Sequence, residues 1–148
     1  MKKILKYWVP PLLWMAFIFP VGNKALSSPF LWRLNQAFWR WLIPDVDESL
    51  IDIVYIIIRK SLHFIEFAFL AFLLYRGFRK DSKTKWNLQW ATYAGSIGIG
   101  YGFLDEFIQS FMASRNGSLI DCLFDTAGVL FALGIIYWKR GKSHIVKE

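Results

Sequence analysis

The sequence is poor in cysteine and in charge. Its one cysteine, Cys122, excludes an intramolecular disulfide, and only 20% of the residues are charged. The P-loop, CxxC, HExxH and GxSxG motifs are absent, so the common signatures of soluble catalytic sites are missing. Apolar surface is abundant instead, since 55% of the 148 residues are hydrophobic and 19% are aromatic. A small water-soluble domain could not cover so much apolar surface, and disorder requires low hydrophobicity.

Four apolar runs approach the ~20 residues that cross a bilayer. They cover approximately residues 7–21, 59–75, 87–111 and 119–138, and the β-branched stretch 51–58 extends the second. The first has the basic start of a signal peptide, but three prolines and the lack of a clear cleavage site favour a span. Because lipid cannot satisfy exposed backbone amides, we predict an all-α polytopic membrane protein. It is one integral membrane domain, 1–148, built as a four-transmembrane-helix bundle.

Charge distribution predicts the orientation of this bundle. With the N-terminus and C-terminus cytoplasmic, the inner segments hold 12 of the 18 Lys and Arg residues and 2 of the 11 acidic ones. The inside is then about +10 and the outside about −3, as the positive-inside rule favours. The formal charge of +7 is thus explained by membrane topology, and we expect no nucleic acid partner.

The long first outer segment is predicted to contain an extra amphipathic helix. Between Pro29 and Pro44, apolar residues recur at spacings of three and four, with Arg33, Gln36 and Arg40 on the other side. Such a helix either lies in the outer membrane interface or forms a lid packed on the bundle. The sequence leaves both alternatives open.

Polar side chains, all but one of them ionisable, concentrate in the outer halves of three spans, where spacings of four and seven residues place most of them on one face of each helix. They are Arg59, Lys60, His63 and Glu66 on the second span, Asp105, Glu106 and Gln109 on the third, and Asp121 and Asp125 on the fourth. Burial in lipid costs ~2.5–3.5 kcal/mol per charge, so we expect these groups to face one another or a wet cavity. The crowded carboxylates cannot all ionise there, and the site could relay protons, hold a divalent cation or bind a polar headgroup.

Five of these residues also have a simpler structural interpretation. His63 and Glu66 could be a pair that fixes helix register. Asp105 and Glu106 could cap the outer end of the third span, and Asp121 could complement the dipole at the start of the fourth. We weigh these alternatives against a functional site, which is the default for ionisable residues inside a membrane.

Small residues form a second pattern, for which close helix packing is the main explanation. They are Gly95, Gly98, Gly100 and Gly102 on the third span, and Gly128 and Gly134 on the fourth.

Two segments of the sequence resemble the VanZ-like family of small bacterial membrane proteins. They are RKSLHFIEFAFLAFLL (59–74) and GFLDEFIQSFMASRNGSLIDCLFDTAGVLFALG (102–134). The family pattern is roughly R-K-x-x-H-x-x-E, then D-E-x-x-Q, then R-x-G-S-x-x-D-x-x-x-D/N-x-x-G. The resemblance implies a multi-pass protein of the bacterial cell membrane, linked to low-level resistance to teicoplanin-type glycopeptides. It places the family motif on Arg59, Lys60, His63, Glu66, Asp105, Glu106, Gln109, Arg115, Ser118, Asp121, Asp125 and Gly128.

Our first hypothesis is a non-enzymatic membrane factor. Its pocket would open to the outer face and bind a lipid headgroup, a lipid-linked wall precursor or the glycopeptide. Arg59, Lys60 and Arg115 would hold phosphate or carboxylate, and the acidic residues would hold an amine, a hydroxyl or a bridging divalent cation. A solvated turn residue is the simpler interpretation of Arg115.

The alternative is an intramembrane enzyme, a hydrolase or transferase acting on a lipid. His63 would be the general base, oriented by Glu66, while Asp105 and Asp121 would bind metal or act as acid. The lack of a nucleophile other than Ser118 or water weighs against this hypothesis. A proton-coupled transporter is a third possibility, for which four short helices leave little room.

Overall fold

The computed structural model describes residues 2–20, 28–111 and 118–145. Within these ranges the chain consists of helices and connecting turns, without a β-strand. The helices are α1 (Lys2–Pro20), α2 (Ser28–Leu42), α3 (Glu48–Arg79), α4 (Leu88–Gln109) and α5 (Leu119–Ile145). The predicted all-α class is confirmed.

Helix α3 is the longest helix, and the other four helices pack against it. Its 32 residues span ~48 Å at ~1.5 Å per residue, so residues 51–58 and 59–75 lie on one continuous helix. Asp47 caps its start by accepting a hydrogen bond from the Ser49 amide at 2.9 Å. Arg76 lies in its last turn, and the positive φ of Lys80, 50°, ends the helix.

A shared apolar core holds α1, α3, α4 and α5 together. It is formed by Ile18 of α1, by Phe67, Leu70, Ala71, Leu74 and Tyr75 of α3, by Ala91 and Ala94 of α4, and by Val129, Ala132 and Leu133 of α5. Trp14 of α1 donates to the Glu66 carbonyl at 3.0 Å, and Tyr101 of α4 donates to the Met15 carbonyl at 2.7 Å. Helix α1 is therefore fastened to both α3 and α4 by hydrogen bonds as well as by apolar contact.

Helix α2 contacts the first turns of α3 through polar side chains. The amide of Asn35 donates to the Ile51 carbonyl at 2.8 Å, and Trp32 donates to the Asp52 carboxylate at 2.9 Å. Its apolar residues Leu34 and Phe38 remain exposed. The amphipathic helix is confirmed, and its apolar side is not the side that packs on α3.

Four glycines allow close helix packing. A Cβ at Gly128 would lie 2.2 Å from the Phe64 carbonyl oxygen, so α5 approaches the backbone of α3 as only glycine permits. Gly95, Gly98 and Gly102 lie against side chains of α5. The packing expected of the other two glycines is wrong, because a Cβ at Gly100 or Gly134 would meet no described atom within 4 Å.

One helical segment in the described part of the chain, Leu119–Lys139, is long and apolar enough to cross a membrane by composition. Ile4–Ile18 is a shorter apolar helix. The remaining predicted spans, 59–75 and 87–111, lie on α3 and α4, whose polar residues lower the mean hydropathy. The predicted first span ends at Val21, just outside the described residues.

Candidate polar binding site

The polar side chains of three helices meet at one end of the bundle, where α4 ends and α5 begins. We call this the polar end. Six of the predicted site residues are buried at the polar end. They are His63 of α3, Asp105, Glu106 and Gln109 of α4, and Asp121 and Asp125 of α5. Each is less than one tenth exposed, although each carries a charged or amide group. Such burial is costly unless the groups satisfy one another or a ligand.

The contact between α3 and α5, which we call the α3 seam, consists of ion pairs around Asp121. Its carboxylate accepts a hydrogen bond from Arg59 Nη2 at 2.5 Å and another from Lys60 Nζ. His63 Nε2 lies 3.9 Å from the same carboxylate. Lys60 also lies over the Phe124 ring, 5.6 Å from its centroid. The buried carboxylate of Asp121 therefore has two cationic partners.

His63 connects Asp121 to the next acid of α5. Its Nδ1 lies 3.0 Å from Asp125 Oδ1, one helical turn from Asp121. The close approach at Gly128, three residues after Asp125, brings the two helices near enough for this contact. The histidine therefore bridges two carboxylates of α5.

The contact between α4 and α5, which we call the α4 seam, has buried oxygens that lack a donor in the described part of the chain. Gln109 donates to Asp105 Oδ2 at 2.6 Å, and the Ser118 amide donates to Glu106 Oε2 at 2.7 Å. The second oxygen of each acid, the amide oxygen of Gln109 and Asp125 Oδ2 are buried and find no hydrogen-bond donor among the described residues. These four buried acceptors of α4 and α5, without a donor in the described part of the chain, indicate a place for a cation or for a ligand rich in donors.

Glu66 is the carboxylate that the enzyme hypothesis placed beside His63. It is half-buried, and the imidazole Nδ1 has Asp125 as its neighbour. Phe67, fully buried, fills the space below the site, since its ring lies 3.3 Å from where a Cβ at Gly102 would be. The two carboxylate oxygens of Asp121 pair with Arg59 and Lys60, and these ion pairs make Asp121 a poor metal ligand.

Two other predicted residues lie at the edge of the site or beyond it. Ser118, directly before α5, contributes its backbone amide to Glu106. Arg115 lies outside the described residues.

An apolar cleft of about 600 Å³, which the sequence did not predict, opens beside the α4 seam. Its walls are Phe103, Leu104, Phe107, Leu119 and Cys122, and its polar members are Glu106, Ser110 and Ser118. The signal for it is the spacing of Phe103 and Phe107, four residues apart on a face of α4 that does not carry Asp105. Glu106 thus belongs both to the polar site and to an apolar cleft.

Comparison with known proteins matches the sequence pattern of the VanZ/LLP1 family to residues 6–140. No curated protein and no solved structure matches the chain. The matched range includes the described residues of the polar end.

Proposed function

Because the chain belongs to the VanZ/LLP1 family, we propose that it is a multi-pass bacterial membrane protein that binds the headgroup of a lipid or lipid-linked envelope component at its polar end. Binding there would alter how a teicoplanin-type glycopeptide reaches its target. The observation that carries the proposal is the meeting of buried charged side chains from three helices beside an apolar cleft. A lipid has both chemistries, a polar headgroup and an acyl chain.

The proposed membrane arrangement has four spans, on α1, α3, α4 and α5. Large apolar side chains of the bundle helices are exposed, among them Leu13, Phe107 and Phe131, and a lipid environment accounts for them. The positive-inside rule then directs the polar end outward and both termini inward. Helix α2, with Trp41 79% exposed, would rest its apolar face in the outer interface.

Arg59 and Lys60 are the proposed phosphate ligands. Their side chains are 22% and 18% exposed, whereas Asp121 between them is fully buried. A guanidinium has five N–H donors and an ammonium three, and Asp121 takes only part of them. The remaining donors can hold an anionic headgroup at the surface of the site through charge-assisted hydrogen bonds.

The cleft beside the α4 seam is the proposed position of the acyl chain. Its volume of about 600 Å³ lies within the ~300–1,000 Å³ of typical ligand pockets. Leu104 and Phe107 give it an apolar wall, and Glu106 joins it to the polar site. An acyl chain in this cleft would place the headgroup at the polar end of the bundle.

A lipid carrying a photoreactive acyl chain tests this proposal in reconstituted protein. We expect Leu104→Trp, which fills the cleft, to reduce cross-linking of an anionic phospholipid several-fold. The matched control is Leu123→Trp, on the exposed surface of α5. Lys60→Met should weaken binding about tenfold, the value of one charged hydrogen bond, whereas Lys83→Met in an exposed turn should not. Equal cross-linking of all four variants would refute the proposal.

Antibiotic susceptibility tests the consequence for the cell. Strains expressing wild-type protein, Arg59→Ala or Asp105→Asn at matched membrane abundance are compared for growth with teicoplanin. We expect the variants to lose the protection that the wild type gives. If susceptibility is the same in all strains, the pocket has no part in glycopeptide resistance.

The second candidate function, an intramembrane hydrolase or transferase, is favoured by the contact of His63 with Asp125 at 3.0 Å. A carboxylate that orients an imidazole is the usual support of a general base. In this version Asp125 takes the role that the sequence hypothesis gave to Glu66. Incubation of the purified protein with envelope lipids, followed by mass spectrometry, decides between the candidates, because only an enzyme yields a product that disappears in His63→Gln.

A further inference from the structure

We propose that His63, Glu106 and Asp125 form a binding site for a divalent transition-metal ion of the Zn²⁺ or Mn²⁺ type. The three residues come from α3, α4 and α5, so the ion would join the three helices of the polar end. This inference goes beyond lipid binding and stands without it, because it rests on the donor atoms of the protein alone.

The geometry brings one donor atom of each residue to the same place. One imidazole nitrogen and one oxygen from each carboxylate all lie within 4.8 Å of one another. Donor atoms of a tetrahedral zinc site, with bonds of ~2.0–2.2 Å, are ~3.3–3.6 Å apart. Side-chain adjustments of about 1 Å therefore close the three donors around an ion, which leaves a fourth position for water or a ligand.

The buried oxygens without described donors are an independent indication that a cation binds here. Glu106 Oε1 and Asp125 Oδ2 are buried without a donor among the described residues, and the two side chains are 4% and 1% exposed. Asp105 Oδ1 and the Gln109 amide oxygen are likewise buried and have no donor among the described residues. Buried acceptors normally have a partner, and all four atoms are of the kind that a cation or a metal-bound water satisfies.

The balance of charge at the polar end also favours a divalent cation. The described polar end buries the carboxyl groups of Asp105, Glu106, Asp121 and Asp125, and only Arg59 and Lys60 provide permanent positive charge in contact with them. Ionised carboxylates would therefore leave two negative charges that no described cation compensates. A divalent cation neutralises both, while Arg59 and Lys60 stay on Asp121.

The donor set selects the class of metal. Imidazole suits zinc, iron, nickel and copper, whereas carboxylate oxygens also suit manganese and magnesium. One imidazole with two carboxylates matches Zn²⁺ or Mn²⁺ better than Ca²⁺ or Mg²⁺, which prefer oxygen ligands alone. We therefore choose Zn²⁺ as the first probe.

Metal analysis of the full chain in detergent tests the site. The protein is purified without a histidine tag, stripped of metal with a chelator and dialysed against Zn²⁺. Its zinc content is then measured by inductively coupled plasma mass spectrometry. We expect about one ion per chain, and at least about tenfold weaker binding in Glu106→Gln, Asp125→Asn and His63→Gln. Asp45→Asn and His144→Gln are the matched controls, since Asp45 is an exposed acid and His144 is the other histidine of the chain.

Optical spectroscopy of the wild type with Co²⁺ keeps the proposal testable if the variants do not fold. Four- or five-coordinate Co²⁺ with a nitrogen ligand gives strong visible absorption, which Zn²⁺ should abolish by displacement. A folded wild type that binds no Zn²⁺, or a Co²⁺ spectrum like that of the hydrated ion, would overturn the site. Zn²⁺ binding retained by the folded Glu106→Gln and Asp125→Asn variants would overturn it as well.

Discussion

The two seams on which α5 packs at the polar end differ in how their charges are satisfied. In the α3 seam, Asp121 is fully buried but has Arg59 and Lys60 as partners. In the α4 seam, Asp105 and Glu106 are also buried, and each has an oxygen without a donor among the described residues. A buried charge with partners can serve structure alone. Buried oxygens without partners are unfavourable for folding, so their presence indicates a ligand.

The largest expected change in stability comes from disrupting the close backbone contact between α3 and α5 at Gly128. Gly128→Ala puts a Cβ 2.2 Å from the Phe64 carbonyl oxygen, and neither backbone can yield without separating the helices. We expect a loss of about 3 kcal/mol in the free energy of unfolding, the upper end of the usual cost of overpacking. Gly134→Ala, on the same helix but with no described atom within 4 Å of its Cβ, is the control.

Denaturation in mixed detergent micelles measures both glycine variants. Gly134→Ala should equal the wild type or exceed it slightly, because alanine favours the helix. Equal stability of Gly128→Ala and Gly134→Ala would show that α3 and α5 are not in the close contact that brings His63 to Asp125.

A smaller loss is expected from removing the shared carboxylate of the α3 seam. Asp121→Asn leaves Arg59 and Lys60 without their negative partner and should cost about 2–3 kcal/mol. This is less than the ~3–5 kcal/mol of a fully buried pair, because both cations are partly exposed. The same denaturation experiment on the triple variant Arg59→Met, Lys60→Met, Asp121→Leu should recover most of the loss. A triple variant no more stable than Asp121→Asn would mean that the charges are needed for more than mutual compensation.

Local patterns in the sequence predicted the helices and most of the polar end. The spacing of Arg59 and His63 on α3, and of Asp121 and Asp125 on α5, placed each pair on one face, and these faces do meet. Spacing along a helix is a local property. It therefore identifies which side chains share a face before the fold is known.

The partners of these side chains could not be predicted, because they depend on how the helices are aligned. Glu66 shares the spacing of Arg59 and His63, yet Asp125 is the neighbour of the imidazole nitrogen. The close approach at Gly128 sets this alignment, and Phe67 fills the level below with an apolar ring. The apolar cleft of α4 was missed for a related reason, since a stripe of exposed aromatics on a helix predicted to cross the membrane looks like a surface that faces lipid.

The smallest expected effect has the opposite sign and lies in the α4 seam. Asp105→Asn removes one ionisable group from a place where carboxyl oxygens lack donors among the described residues. Its amide can still accept from Gln109 while it donates to a neighbouring acid. Without added metal we expect the variant to be about 1 kcal/mol more stable than the wild type, which is a rise of roughly 2–4 °C in Tm. Asp45→Asn on the exposed surface should change Tm little. A clear loss of stability in Asp105→Asn would show that the α4 seam is as well compensated as the α3 seam, and the argument for a missing ligand would then fail.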